Sequence, residues 1–380
     1  MTTHVFIVDE NTFRYHLEYM FAGTGSKDYV IDFNNTQTSN LHHSTEASLV
    51  GLMADGCRVR KNDLIIFYLQ ASYQHEGTFF GIFQAIDDGI FLDNFDTHQF
   101  LGDKLRKSLT FRLLIKPYEV YSKGVSEWSA LDEIKGLTSP NQMLWSLIYR
   151  KLKGNRGNTM ITIYESERLI DLIRKKNCIK SFPSNVKYFS YDCNSNTIVS
   201  INNHNQYIGR QEPINILPRL IVKYNTHKAF ESHLQMYITQ NLGLGTNKSL
   251  DESLGILNNK IEWLGNEVSC GVGMQRIDVM FSIEETSNKR FLYPIELKAV
   301  GAHKDNTRQL TRYIDWIEQY YIPNRISIIQ PVLICKKEYS ISDELKNSFK
   351  NFNKRAGILP LKYIEFEIIG TNIVFNKVEY

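Results

Sequence analysis

Asp278 and the triplet Glu296-Leu297-Lys298 have the types and spacing that can do chemistry. Asp278 sits in QRIDVMFSI (275–283) and the triplet in FLYPIELKAV (291–300). Each segment alternates or runs apolar over strand length, and Ser287-Asn288 between them offers turn chemistry. The pattern predicts a β-hairpin with an acid on one strand and Glu-x-Lys on the next. Side chains two apart on a strand share a face, so Glu296 and Lys298 stand together while Leu297 turns into the core. Neighbouring carboxylates repel and raise each other's pKa unless a cation neutralises them. A hard divalent ion such as Mg²⁺ accepts oxygen ligands of this kind. The group suits metal-assisted hydrolysis of a phosphodiester, with Lys298 holding the attacking water or the developing negative charge. The bland alternative is a solvated Glu–Lys pair with no chemistry.

The flanking segments weigh against that alternative. Residues 228–242 carry apolar positions at helical spacing, start with Glu231 on the first turn and end at Gly243-Leu244-Gly245, a helix stop. Residues 305–320 predict another helix, on which Gln309 and Tyr313 lie one turn apart and share a face. A strand follows at 326–335. The order is helix with Glu, strand with Asp, strand with Glu-x-Lys, helix with Gln-x-x-x-Tyr.

From 222 to about 340 this arrangement resembles the PD-(D/E)xK nuclease superfamily, in the branch of the NucS-like mismatch endonucleases and the RecB-type nucleases. The resemblance rests on Glu231-x-x-Leu234, Gly273-x-x-Arg276-Ile277-Asp278, Ile295-Glu296-Leu297-Lys298 and Gln309-Leu310-x-x-Tyr313. The leading acid follows Ile rather than Pro, a departure from the pattern that names the superfamily. The resemblance implies that Asp278 and Glu296, with the Leu297 carbonyl, bind Mg²⁺, and that Glu231 is an outer or second-metal carboxylate, so that two metal sites are possible. It implies Lys298 as the catalytic lysine, and Gln309 and Tyr313 as groups that position water or the strand.

The rest of the chain sets bounds. A length of 380 residues allows two or three domains. No apolar run reaches membrane-spanning length, and a strand pattern begins at once from Thr3, so a cytoplasmic protein without a membrane partner is expected. The five cysteines are scattered without a Cys-x-x-Cys pair, which argues against a disulfide framework or a structural zinc site. A net charge of +3 is too small to indicate a polyanion partner by itself. His4, His16, His42 and His43 lack metal-ligand spacing and read as ordinary polar positions.

The first half reads as a separate module of short strands, with Ala22-Gly-Thr-Gly25 as a plain turn. Lys61-Asn-Asp-Leu-Ile-Ile-Phe-Tyr68 followed by Phe79-Phe-Gly-Ile-Phe83 resembles PUA-like barrels of the EVE and YTH type. That resemblance implies an aromatic pocket for a nucleobase, with Tyr68, Tyr73, Phe80 and Trp128 as candidate walls; barrel core is the competing role for each. A helix capped at Ser139-Pro140 runs into Gly154-Asn-Arg-Gly157, and Arg150, Lys151, Lys153 and Arg156 cluster there as candidate DNA contacts. A solvated helix terminus is the alternative.

The expected architecture is α+β with two domains: a PUA-like mixed β-barrel at 1–185, a strand-rich connector at 186–221, and an α/β restriction-endonuclease-like core at 222–380. A nuclease core supplies chemistry but cannot choose a sequence, so recognition must come from elsewhere in the chain. The expected function is a Mg²⁺-dependent, site-specific endonuclease of the restriction type on double-stranded DNA, with dependence on a modified base left open. One site cuts one strand, so a homodimer is expected. The alternatives are a NucS-like nuclease for mismatched or branched DNA, and a non-catalytic reader of modified nucleic acid.

Overall fold

The computed structural model describes the whole chain except residues 26–30, 32–45, 95–97, 133–136, 138–141, 145, 148–156, 203–204, 229, 272–274, 285–288 and 324–325. The chain divides into two compact units, with the boundary between Ile214 and Asn215.

The first unit is built on a mixed, curled sheet. Its strands are β1 (Thr3–Val8), β2 (Phe21–Thr24), β3 (Leu64–Leu69), β4 (Thr78–Ala85), β5 (Phe91–Leu92), β6 (Phe111–Pro117), β7 (Val125–Ser126) and β8 (Asn158–Ile161). Their order is β2-β6-β4-β3-β1-β8, with β5 beside β6 and β7 beside β4. Among the described residues of this unit, β1 and β3 are the strands that pair in parallel. The two ends of that order approach one another: a Cβ added to Gly157, just before β8, would lie 2.6 Å from the Thr24 side chain at the end of β2.

Both faces of the central strands are covered, which is why LIIFYL in β3 is apolar without a break. Ile65, Phe67 and Leu69 point into a core shared with Phe13, Phe80 and Phe83. The alternate residues Leu64, Ile66 and Tyr68 join Phe79, Ile82, Leu169 and Ile173 on the opposite face. The helix Ile163–Lys176 covers that second face. Thr162 and Glu165 form a reciprocal capping box at its start, which satisfies two otherwise orphaned backbone donors.

Three expectations change here. Ala22-Gly23-Thr24 is strand rather than turn, with Gly23 opposite Arg112. A side chain at Gly25 would put its Cβ 1.8 Å from the Ser108 carbonyl oxygen, so this glycine serves close backbone approach. The segment expected to connect the domains instead belongs largely to the first unit. Its hairpin, β9 (Phe189–Asp192) and β10 (Thr197–Ser200), places Phe189, Tyr191 and Ile198 in the core with Phe13 and Phe80. His4 and His16, expected as ordinary polar positions, are wholly buried; His4 Nε2 lies 3.0 Å from Asp63 Oδ2, and His16 Nδ1 lies 2.9 Å from the Phe21 carbonyl oxygen.

The second unit contains β11 (Ile261–Ser269), β12 (Arg276–Glu284), β13 (Arg290–Lys298), β14 (Ile328–Ile329), β15 (Val332–Lys336), β16 (Lys362–Ile369) and β17 (Asn372–Lys377). The order is β11-β12-β13-β15-β16-β17, with β14 beside β13. The central trio β13, β15 and β16 is parallel, while the outer pairs are antiparallel. Parallel neighbours require crossovers, and the helices Asp305–Trp316 and Asp343–Phe352 provide them. The helix Glu231–Asn241 packs against β12 and β13. It stops where Gly243 and Gly245 take positive φ, and their N–H groups donate to the two oxygens of buried Asp251 at 2.9 and 3.0 Å. The Ser287-Asn288 turn lies outside the described residues, but the hairpin it was to close is present as β12 and β13.

The core placement of Phe80 has a measurable consequence. Phe80→Ala should destabilise the protein by about 3–5 kcal/mol in denaturant unfolding, the usual cost of emptying a buried aromatic site. Tyr73→Ala, at a fully exposed position, should stay within about 0.5 kcal/mol of the parent.

Candidate active site

The acidic group forms where β12 and β13 part. Their pairing reaches Val279 opposite Ile295 and goes no further toward the site. Beyond it the Asp278 side chain takes the place of a backbone partner: Leu297 N–H donates to Asp278 Oδ2 at 2.8 Å. On its other side β13 continues in register with β15, Glu296 beside Leu333 and Lys298 beside Cys335. Leu297 is wholly buried, so strand alternation sends Glu296 and Lys298 to the opposite face as a pair.

Lys298 Nζ stands 2.7 Å from Glu296 Oε1 and 3.6 Å from Glu231 Oε2. Tyr313 O–H donates to the other Glu296 oxygen, Oε2, at 2.6 Å. The structure therefore brings Glu231, Asp278, Glu296, Lys298 and Tyr313 together from two helices and two strands. Gln309, one turn before Tyr313, is half-buried and makes no hydrogen bond to this group among the described residues. Tyr313 holds a carboxylate directly.

One contributor escaped sequence reading. Gln235 Nε2 donates to the Asp278 carbonyl oxygen at 2.7 Å and so fixes the backbone that carries the acid. It lies four residues after Glu231 on the same helix, and that spacing was the available signal.

The electrostatics are unbalanced. When ionised, three carboxylates face one ammonium. Desolvation, then repulsion from Glu296, lifts the Asp278 pKa well above the usual carboxylate range, although the Leu297 N–H and Lys298 pull it down. Glu231 is nearly half exposed, yet desolvation, with repulsion from Glu296, raises it as well despite Lys298. For Lys298 burial acts to lower the pKa, but Glu296, Glu231 and Asp278 together outweigh it and leave the ammonium more firmly protonated than usual. Tyr313 is likewise raised by burial and by Glu296, and keeps its proton.

The buried Glu296 Oε1 has no aligned hydrogen-bond donor, because Lys298 lies close but out of line. A divalent ion between Asp278 and Glu296 fits that donor set: it would satisfy the oxygen and relieve the repulsion. Among the described residues, no three His, Cys, Asp or Glu side chains converge on a single point as they stand. Asp278 and Glu296 are thus the pair able to hold an ion, with Glu231 further out.

Among the described residues, the aromatic candidates do not assemble into a second site. Phe80 is buried in one core, and Tyr68 is buried on the opposite face with its O–H donating to Glu127. Tyr73 is fully exposed and Trp128 mostly so. The expected four-walled aromatic pocket is corrected accordingly, because alternate strand positions send Phe80 and Tyr68 to different faces. Arg150, Lys151, Lys153 and Arg156 lie outside the described residues. No helix among the described residues is long and apolar enough to cross a membrane. No family model matches the chain, and no curated protein matches it in sequence.

The crowding of Asp278 predicts a stability effect. A carboxyl whose folded pKa is raised contributes most below its unfolded pKa, and that contribution is lost as pH rises toward the folded value. Asp278→Asn keeps an acceptor for the Leu297 N–H but cannot ionise. In EDTA the variant should melt above the parent at pH 7, by roughly 2–4 °C for each kcal/mol relieved. The gain should vanish below about pH 4, near the unfolded carboxyl pKa. An unchanged difference across that range would show that Asp278 carries no such penalty.

Proposed function

We propose that the second unit is a Mg²⁺-dependent endonuclease core of the PD-(D/E)xK kind that hydrolyses phosphodiester bonds in double-stranded DNA in the manner of a restriction enzyme. The observation that carries this reading is the meeting of Glu231, Asp278, Glu296 and one firmly protonated lysine at the end of a parallel strand. A solvated surface pair would have no reason to bury Glu296 or to hold it from a second side with Tyr313.

Bound Mg²⁺ would supply Lewis-acid polarisation of a phosphoryl oxygen and a water of lowered pKa. Asp278 and Glu296 would hold it, and Glu231 would serve as the outer carboxylate or a ligand to a second ion. Lys298 keeps its proton, so it serves as a fixed positive charge for the developing phosphorane rather than as a base. Tyr313 fixes the rotamer of Glu296, and Gln235 fixes the backbone of Asp278. Gln309 faces the same side of its helix as Tyr313 and is assigned to positioning water or the strand.

The first unit, in this proposal, is the recognition domain, of the PUA-like kind. Its DNA contacts are assigned to Arg150, Lys151, Lys153 and Arg156, and of the four candidate aromatics the exposed Trp128 and Tyr73 are the two open to a base. A homodimer would bring two sites to the two strands. Mismatched or branched DNA is the second reading, favoured by the cleft described below.

The test uses the full chain with Mg²⁺ on plasmid, methylated plasmid and mismatched duplexes. Asp278→Ala or Glu296→Ala should abolish cleavage and spare DNA binding. Lys298→Ala should lower the rate by at least about 10²–10³-fold with metal still bound. Cleavage in EDTA, or by Asp278→Ala, would overturn the assignment; an inert parent protein would leave a non-catalytic reader.

Metal dependence should also move with pH. Ligands must be deprotonated to bind, and the Asp278 pKa is raised, so the Mg²⁺ concentration for half-maximal rate should climb as pH falls through the acidic range. Glu231→Gln should raise that concentration roughly 10- to 100-fold at neutral pH. A titration identical to the parent's would reduce Glu231 to a helix-start residue.

A further inference from the structure

A cleft of about 680 Å³ is lined by residues that adjoin Glu231 and Lys298 in the chain, Phe230 and Ala299. One wall is the segment leading into the helix of Glu231, with Lys228 and Phe230. A second follows Lys298 on the chain and contributes Val300, and a third follows β15 and contributes Lys336, Lys337 and Tyr339. The cleft is thus continuous in sequence with the site on two sides.

Its chemistry is divided. Phe230 is buried in the floor, while Val300 is 65% exposed and Tyr339 fully exposed. Tyr339 has no packing role that would account for an aromatic there. The rim is cationic, with Glu338 the one acid among the lining residues. Lys336 is held with its ammonium 3.9 Å from the Tyr224 ring centre, and Lys337 is paired with Glu367 at 2.8 Å. The backbone of this rim is pinned as well: Lys336 N–H donates to Val300 at 3.1 Å and Lys337 N–H to Phe366 at 2.9 Å.

We infer that this cleft holds an unpaired nucleotide of the cleaved strand, next to the scissile phosphate. The inference rests on reading the acidic group as a phosphodiester-cleaving site. The volume is that of a small-ligand pocket, roughly 300–1,000 Å³, and gives room for a nucleotide or two but not for a stacked duplex. Exposed apolar and aromatic side chains are satisfied by the faces of bases, and in an intact duplex those faces are hidden in the stack. Lys228 and Lys336 meet the phosphates, while Tyr339 and Val300 meet the base. Taking a base out of a duplex costs a few kcal/mol, least at a mismatch or an unpaired junction, so the cleft would direct cutting to such places.

The experiment measures binding of the full chain, in metal-free buffer, to a labelled single-stranded oligothymidylate, a matched duplex and a duplex with one mismatch. Tyr339→Ala combined with Val300→Ser should weaken the oligothymidylate roughly ten- to a hundredfold, the scale of one lost base–aromatic stack, and leave the matched duplex unchanged. Lys336→Ala should flatten the salt dependence for the single strand by about 0.7 of a unit of slope. Cleavage of mismatched over matched duplex is then compared for parent and variant. If the parent cuts nothing but the double substitution still costs single-strand affinity, the cleft is a site for an unpaired nucleotide without a scissile phosphate beside it, and the nuclease reading falls. If the parent cuts, and the substitution alters neither single-strand affinity nor the preference for mismatched DNA, the cleft reading is overturned. A parent chain without affinity for the oligothymidylate overturns it too.

Discussion

The Leu297 N–H donates to the Asp278 carboxylate where a backbone carbonyl would ordinarily accept, and the geometry of the site depends on this exchange. β12 and β13 pair through Val279 and Ile295, then part. The space opened at the parting has to be filled by a group that can satisfy the freed donor, because an unpaired buried N–H costs roughly 1–3 kcal/mol. A carboxylate does so and brings a charge. That charge lies near Glu296, whose face is set by strand alternation and whose height is set by pairing with Leu333 of β15. The two acids are held together by the sheet, so their repulsion cannot be relaxed by rotating either one away.

Around that fixed repulsion the other groups have separate tasks. Tyr313 donates to Glu296 from the crossover helix, Lys298 offers charge from two residues further along the same strand, and Gln235 holds the backbone of Asp278. A parallel strand followed by a crossover makes this arrangement possible, since chain that leaves β13 at the site returns as a helix packed against it. The cleft walls leave from the same strand ends. In open α/β sheets ligands gather at the carboxyl ends of the parallel strands for the same topological reason.

Sequence period made part of this legible. A period of two placed Glu296 and Lys298 on one face and Leu297 in the core, and helical spacing placed Gln309 with Tyr313. What Tyr313 touches was not legible, because the partner lies across a crossover and local spacing carries no distance between elements. Gln235 was missed for a related reason: its contact is to backbone, and backbone acceptors leave no mark in the sequence. In the first unit, Gly23 and Gly25 looked like a turn because glycine marks both turns and close approach; only the neighbouring Arg112 and Ser108 decide between them. The 186–214 segment looked like a linker because its polar residues outnumber its apolar ones. Yet Phe189, Tyr191 and Ile198 suffice to bind it to the core of the first unit.

The aromatic content of the first unit illustrates how composition and position part company. Phe80 and Tyr68 occur in strands whose two faces are both covered, so a motif that reads as a pocket is consumed by two cores. Trp128 and Tyr339 are different, since neither is needed to fill an interior and each stands open at an edge. An exposed large aromatic gives up hydrophobic burial, a sacrifice of order 1.5–3 kcal/mol for a Phe-sized side chain. A chain that keeps Tyr339 on the lip of the cleft, one strand end away from Lys298, therefore forgoes that burial, and the base contact proposed for it would account for the loss.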